Sequence, residues 1–423
     1  MIKVIKNGLV VTMNEKNEIK KCDIVIKDDT IINICEEYSG EYDKVIDASN
    51  KVVMPGLINT HTHLGMSIFR NTSNGLDLMH WLNDLIWPIE DKMTDEDIMY
   101  ANILSCAEAI KTGTTTVNDM YFGVNALKGI TNSKIRCVYT RTLIGSIDHK
   151  VDEFKNLVEN NHNDLITFTV SPHSLYTCDS NLLNCVKELS DKYKLPIHIH
   201  FCENEEEVHN IKDKFKMDPV DVLDSFGFLE NKLILAHGVF VNKLEKLERS
   251  NISIAHNIVS NLNLGCGIFP MKNYLNRNIN ISLGTDGVGS ALSMDMFNKM
   301  SFTSLVSKGY YKNPLLIDSY EILKMATING AKALGLEDKI GSIEENKKAD
   351  IIILDVNNIT DMPVNNLINH LVHNIKPSNV ISSIINGEVV MENKKLLTID
   401  EENLKLMIKK IIKKLNIEGG KDE

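Results

Sequence analysis

Pro55-Gly56-Leu57-Ile58-Asn59-Thr60-His61-Thr62-His63 sets an apolar run directly against two histidines one residue apart. In a strand, side chains at i and i+2 point to the same face. Two imidazoles at one strand end can therefore meet one metal ion, with ligand nitrogens about 2 Å from zinc. A lone His-x-His is a weak signal. This one gains weight because matching ligands recur further along, each at the end of its own apolar run.

Working outward, the middle of the chain alternates short apolar runs with helical-period stretches. The runs are Gly56–His63, Thr114–Asp119, Ile135–Thr140, Ile166–Val170, Ile197–His200, Leu233–His237, Ile252–His256 and Ile281–Asp286. Helical stretches such as Asp95–Thr112, Ser180–Tyr193, Asp218–Phe226 and Asn242–Arg249 follow them. Strand–helix units in series predict an α/β fold, a parallel (β/α)8 TIM barrel over residues 56–345. Sites in such barrels lie at the C-terminal strand ends, where this chain carries Thr62, His63, Asp119, Arg141, His173, His200, Glu203, His237, His256 and Asp286.

The flanks read differently. Residues 1–55 hold short strand patterns (Val4–Met13 interrupted by Asn7-Gly8, Asp23–Lys27, Thr30–Cys35, Lys51–Met54). Residues 346–423 repeat that character in Ala349–Leu354 and Val380–Ile385, with Asn386-Gly387 as a type I′ hairpin signal, before an amphipathic closing helix over Glu401–Asn416. The expectation is a small β-sandwich built from both termini.

Composition narrows the function classes. Of the 423 residues, 43% are hydrophobic and 24% charged, as in a soluble globular protein, and the net charge of −11 disfavours nucleic-acid and membrane-surface partners. The lysines of the closing helix read as a solvated face. The eight cysteines are scattered without a C-x-x-C pair, which indicates thiols in a reducing compartment. With no signal sequence and no long apolar run, the expected location is cytoplasmic.

The ligand pattern then resolves. Ile197-His198-Ile199-His200-Phe201-Cys202-Glu203 ends the fifth run, Leu233-Ile234-Leu235-Ala236-His237-Gly238 the sixth, and Leu283-Gly284-Thr285-Asp286-Gly287 the eighth. His61, His63, His200 and Asp286 would hold one divalent ion and leave a position for water, whose pKa falls from about 15.7 to about 7 on zinc. His237 would either bind the metal or orient the water. Glu203 lies where its strand turns into a loop, within reach of a substrate. His198 is assigned to the barrel core, one layer below His200; His256 is left between a core residue and a group supporting the ligands.

On these residues the chain resembles the amidohydrolase superfamily, and within it the 5-methylthioadenosine/S-adenosylhomocysteine deaminase family. The resemblance runs nearly end to end, through Pro55–His63, Leu78–Leu82, Ile86–Glu90, Thr112–Tyr121, Ser171-Pro172-His173, His200–Glu203, Asn261–Pro270, Gly284–Gly287 and Asn369–His373. It implies one zinc (or ferrous) ion on His61, His63, His200 and Asp286, Glu203 as proton shuttle to a purine, and His237 beside the water. It also implies Glu90, next to Trp87, on the ribose hydroxyls, His173 on the purine, and Arg141 gripping a ligand carboxylate. The implied reaction converts adenosine, 5-methylthioadenosine or S-adenosylhomocysteine to the inosine-type product and ammonia, in a homo-oligomer.

Departures from the family pattern fall outside the ligands. Asn71–Gly75 replaces an acidic pair, Ile258 a proline, and Ser290-Ala291-Leu292 a Ser-Asn-Asn. The second basic residue for a homocysteine carboxylate has no evident counterpart, Lys150 being the nearest. Guanine, pterin or chlorotriazine rings are the alternative substrates. Cyclic-amide hydrolases look for a lysine at the fourth strand's end, and Ile166–His173 has none; the P-C-x-x-C zinc deaminases are excluded by the lack of that motif. A metal-free scaffold would be signalled by a missing ligand, and all four positions are filled.

Overall fold

The computed structural model of the chain describes residues 1–73, 75–123 and 126–417. The eight apolar runs are strands and all pair in parallel. Leu57–Thr62, Thr114–Tyr121, Arg136–Arg141 and Ile166–Phe168 form one sheet in chain order, and Ile197–Phe201, Leu233–His237, Ile252–His256 and Asn280–Leu283 form a second. Bridges Val170–Ile197 and Ser174–His200 carry the fourth strand onto the fifth. At the opposite edges, the amides of Thr285 and Asp286 donate to the carbonyl of His61 at 3.1 and 2.9 Å, so the eighth strand ends beside the first. Leu57–Thr62 is buried throughout, as are Thr114–Tyr121 and Leu233–His237. Continuous apolar or β-branched runs, rather than alternating ones, follow from burial on both faces.

Helices follow the strands where the sequence carries both periodicity and caps. Asp95–Lys111 opens in a reciprocal capping box between Thr94 and Asp97, and Ser180–Tyr193 starts on the Asp179 carboxylate. The helix expected over Asn242–Arg249 is only a 3-10 turn, Leu244–Leu247, without a side-chain N-cap. Below the strands, Ile58, Val138, Ile234 and Ala255 pack with Ala331, Leu334, Leu336 and Ile340, an apolar plug at the end away from the histidines.

Both termini meet in one hydrogen-bonded sheet of nine strands. The expected sandwich is thus a single sheet that forks in its hydrogen bonding. The cause is Ile2–Val11, which pairs in parallel with Lys44–Asp47 along its first half and with Val52–Pro55 further on. Asn386 (φ 50°) and Gly387 (φ 74°) turn Val380–Ile385 into Glu388–Glu392, the hairpin the dipeptide called for. The closing helix Glu401–Leu415 buries Leu404, Ile411 and Leu415 and anchors Lys414 on Asp97 at 2.6 Å. Among the described residues no helix is long and apolar enough to cross a membrane.

One buried ion pair ties the parallel strands to the terminal sheet. Arg136, opening the third strand, donates through Nε and Nη2 to the two oxygens of Asp350 at 2.6 and 3.0 Å, and Nη2 also reaches Asn386 Oδ1 at 3.0 Å. Both charged side chains are almost fully buried. Removing one member strands the other's charge in the interior, a loss of about 3–5 kcal/mol. Arg136→Leu is expected to lower the urea midpoint by that equivalent; a change under about 1 kcal/mol in a double-mutant cycle with Asp350→Asn would show the pair to be dispensable.

Candidate metal and active site

The strand pleat puts His61 and His63 on one face, as the i, i+2 spacing requires, and the fifth, sixth and eighth strands bring His200, His237 and Asp286 to the same end. His63 Nε2 lies 3.2 Å from His200 Nε2 and 3.1 Å from Asp286 Oδ1, and His61 Nε2 lies 3.6 Å from the same oxygen. His61, His63 and His200 form one group with ligand atoms within 4.8 Å of one another, and His61, His237 and Asp286 form another.

Each imidazole is held from behind. His63 Nδ1 donates to the carbonyl of Met120, His200 Nδ1 to that of His173 (2.8 Å), and His237 Nδ1 to Asn261 Oδ1 (2.7 Å). His61 Nδ1 shares a hydrogen bond with His198 Nε2 (2.9 Å), whose Nδ1 faces the Asn118 amide at 3.1 Å. With Nδ1 engaged, each ring keeps Nε2 unclaimed from behind, and the Nε2 atoms of His61 and His237 are buried with no hydrogen-bond partner among the described residues. Unpaired buried nitrogens facing a carboxylate are what a cation site leaves when drawn from protein atoms alone. The donor set, imidazoles plus one carboxylate, fits zinc.

The electrostatics agree. Burial pushes His61 down to about 3 and His200 well below the usual histidine range, so both carry neutral rings with a free lone pair. Burial acts the same way on His63, but the adjoining Asp286 carboxylate overrides it and raises the group to about 9. Burial also opposes ionisation of Asp286, yet the adjoining His61 and His63 imidazoles hold it well below the carboxylate range. The pocket therefore attracts positive charge. Ser260 fixes the other carboxylate oxygen, donating to Asp286 Oδ2 at 2.6 Å.

Glu203 leaves the fifth strand beside this group, with Oε1 3.6 Å from His237 Nδ1. Burial raises its pKa above the usual carboxylate value despite the neighbouring His237. Its backbone N–H is held by the buried Glu207 carboxylate at 2.7 Å. From there a cavity of about 400 Å³ opens, lined by Glu90, Trp87, His173, Arg141 and Lys150 among others. Tyr121 donates to Glu90 at 2.5 Å, and burial brings Glu90 up to about 7. Burial lowers His173 to about 4, and its ring lies against His200 with centroids 4.7 Å apart.

The structure thus gathers His61, His63, His200, His237, Glu203 and Asp286, with Glu90, Trp87, His173 and Arg141 on the cavity wall. Two expectations need correction. His198 is more than core filling, because its ring hydrogen-bonds His61. Arg141 does not stand free: its Nε donates to Glu153 Oε2 at 2.8 Å. His256 stacks on Phe269 (4.3 Å) with neither ring nitrogen hydrogen-bonded among the described residues, so it supports no ligand. Sequence reasoning missed Asn118, Tyr121, Glu207, Ser260 and Asn261. Asn118 and Tyr121 fall in Thr112–Tyr121 and Asn261 opens Asn261–Pro270, segments that carry the family resemblance without setting these residues apart; Glu207 and Ser260 carried no signal.

Comparison with known proteins agrees with this geometry. A family model described as "Amidohydrolase family" matches residues 52–390. A 5'-deoxyadenosine deaminase from Methanosphaera stadtmanae is 40% identical over 92% of this chain and 93% of its own. A 5-methylthioadenosine/S-adenosylhomocysteine deaminase from Caldanaerobacter subterraneus is 37% identical over 96% and 97%. Among solved structures, an adenosine deaminase from Xanthomonas campestris with bound zinc superposes with a TM-score of 0.94 at 25% identity, over 98% of this chain and 99% of that one. By the extent of the family match and of these relatives, the chain belongs to the amidohydrolase family.

Proposed function

We propose that this chain is a zinc-dependent aminohydrolase that deaminates adenosine-type compounds, with 5'-deoxyadenosine, 5-methylthioadenosine, S-adenosylhomocysteine and adenosine as the candidate substrates. The observation that carries the reading is the gathering of His61, His63, His200, His237 and the Asp286 carboxylate at one end of the strands beside the buried Glu203. The names of the full-length relatives supply the substrate class. The same proposal includes closure of the eight parallel strands into a barrel, with residues 56–345 as the catalytic unit.

His61, His63, His200 and Asp286 would hold the ion, with His237 beside them. Bound there, a divalent ion makes hydroxide available at neutral pH. Asp286, held ionised by its histidine neighbours and Ser260, accepts the proton released by water. Glu203 donates a proton to the purine N1 as hydroxide adds to C6. Asp286 then passes its proton to the amino group, Glu203 takes the proton of the new C6 hydroxyl, and the C–N bond breaks to release ammonia and leave the 6-oxo product. His237, fixed by Asn261, orients the water. Glu90 binds the ribose hydroxyls, His173 meets the purine, and Trp87 covers the sugar. Burial of Glu203 raises its pKa, which suits it to proton donation.

Two outcomes test the reading. Glu203→Gln is expected to lower kcat for ammonia release from 5'-deoxyadenosine by about 100- to 10,000-fold while zinc content stays at one per chain; full activity in that variant would reject the proton shuttle. His198→Leu is expected to weaken zinc binding by about 10- to 100-fold, read by competition with a graded chelator. Unchanged affinity would reduce His198 to core filling.

A further inference from the structure

Arg141 ends the third parallel strand and lines the cavity, so a free guanidinium there would offer a forked grip for a carboxylate. It is not free. Glu153, on the helix His149–Asn161, accepts from its Nε at 2.8 Å, with the Arg141 side chain 12% exposed and that of Glu153 30%. The second cation on this wall, Lys150, is hydrogen-bonded by Asp148, the N-cap of the same helix. Both positive groups are matched by an acid of the chain itself. The carboxyl groups of Glu90, Asp91, Glu203, Glu207 and Asp286 also line the cavity. The cavity wall also presents Phe122, Ile144 and Leu82.

We propose that Glu153 is a specificity-determining residue, which neutralises Arg141 and so selects substrates whose 5′ substituent is short, uncharged and apolar. The proposal rests on the adenosine-type reading given above. A ligand carboxylate arriving at Arg141 must either displace Glu153, losing a charge-assisted hydrogen bond, or lie beside a second carboxylate and be repelled. A 5′-methyl or methylthio group meets neither obstacle and buries apolar surface against Phe122 and Ile144. Glu153 acts through Arg141 and lies on a helix away from the reacting atoms, so its effect falls on discrimination among substrates.

The test compares kcat/KM for 5'-deoxyadenosine, 5-methylthioadenosine and S-adenosylhomocysteine with purified, zinc-supplied enzyme. Wild type is expected to favour the two uncharged compounds by at least tenfold over S-adenosylhomocysteine. Glu153→Gln is expected to raise the S-adenosylhomocysteine to methylthioadenosine ratio by at least tenfold, chiefly through a lower KM, and adding Arg141→Ala should erase that gain. A wild-type preference below tenfold, which is readable without any variant, overturns the proposal, as does an unaltered ratio in Glu153→Gln. If wild type turns over the uncharged compounds but fails these criteria, the deaminase reading stands alone; no turnover of any of the three overturns both.

Discussion

The site depends on four imidazoles being tied down at Nδ1. A histidine on a strand end can rotate about its side-chain torsions and present either nitrogen to its surroundings. Here the carbonyls of Met120 and His173, the Asn261 amide and the His198 ring each claim Nδ1. That choice leaves Nε2 as the ligand atom of these rings, with those of His61 and His63 at 3.6 and 3.1 Å from Asp286 Oδ1. The backbone contributes too. Cys202, His237 and Asp286 adopt left-handed φ values of 51°, 73° and 73°, which a residue with a Cβ holds only where its surroundings impose it. Three such residues, at the ends of the fifth, sixth and eighth strands, mark where the fold gives up local comfort to place side chains.

The same burial acts on two carboxylates of one cavity with opposite results. Asp286 has imidazoles on one side and Ser260 on the other, and these hold it ionised against the cost of desolvation. Glu203 has His237 and the Cys266 thiol beside it and Asp286 as a nearby like charge, so desolvation wins and its pKa rises. Carboxylates pushed apart by their surroundings divide the work of proton acceptor and proton donor. Neither assignment could be made from residue type, since an aspartate and a glutamate have nearly the same intrinsic pKa.

How far the sequence could be read follows from the same physics. The eight strands were legible because parallel strands buried on both faces leave continuous apolar runs, and the ligands because each closes such a run. Thr30–Cys35 and Val380–Ile385 have the bounds their β-branched pattern sets. The supporting groups were not legible. Asn118, Ser260 and Asn261 are ordinary polar residues whose partners lie far along the chain, and only packing brings them together. His198 was misassigned for a related reason: alternation gives the face a side chain points to, not whether its ring finds a partner there. The segment Asn242–Arg249 had helical period but no cap, and without one a short stretch does not propagate as a helix.

Arg141 shows where such reading stops. Its place at a strand end made it visible, and a lone guanidinium on a cavity wall invites a carboxylate. The residue that decides its role, Glu153, lies on the following helix, where a glutamate is unremarkable and neither period nor spacing sets it apart. Strand ends in this fold carry the chemistry, and they are fixed by a core that tolerates little change. The loops and helices after them carry the substrate's outer contacts and vary freely, because few buried groups depend on them. Resemblance along the strands therefore transmits a reaction more faithfully than a substrate. A single ion pair between the two regions can reverse the electrostatic preference of a cavity while leaving every ligand of the metal in place.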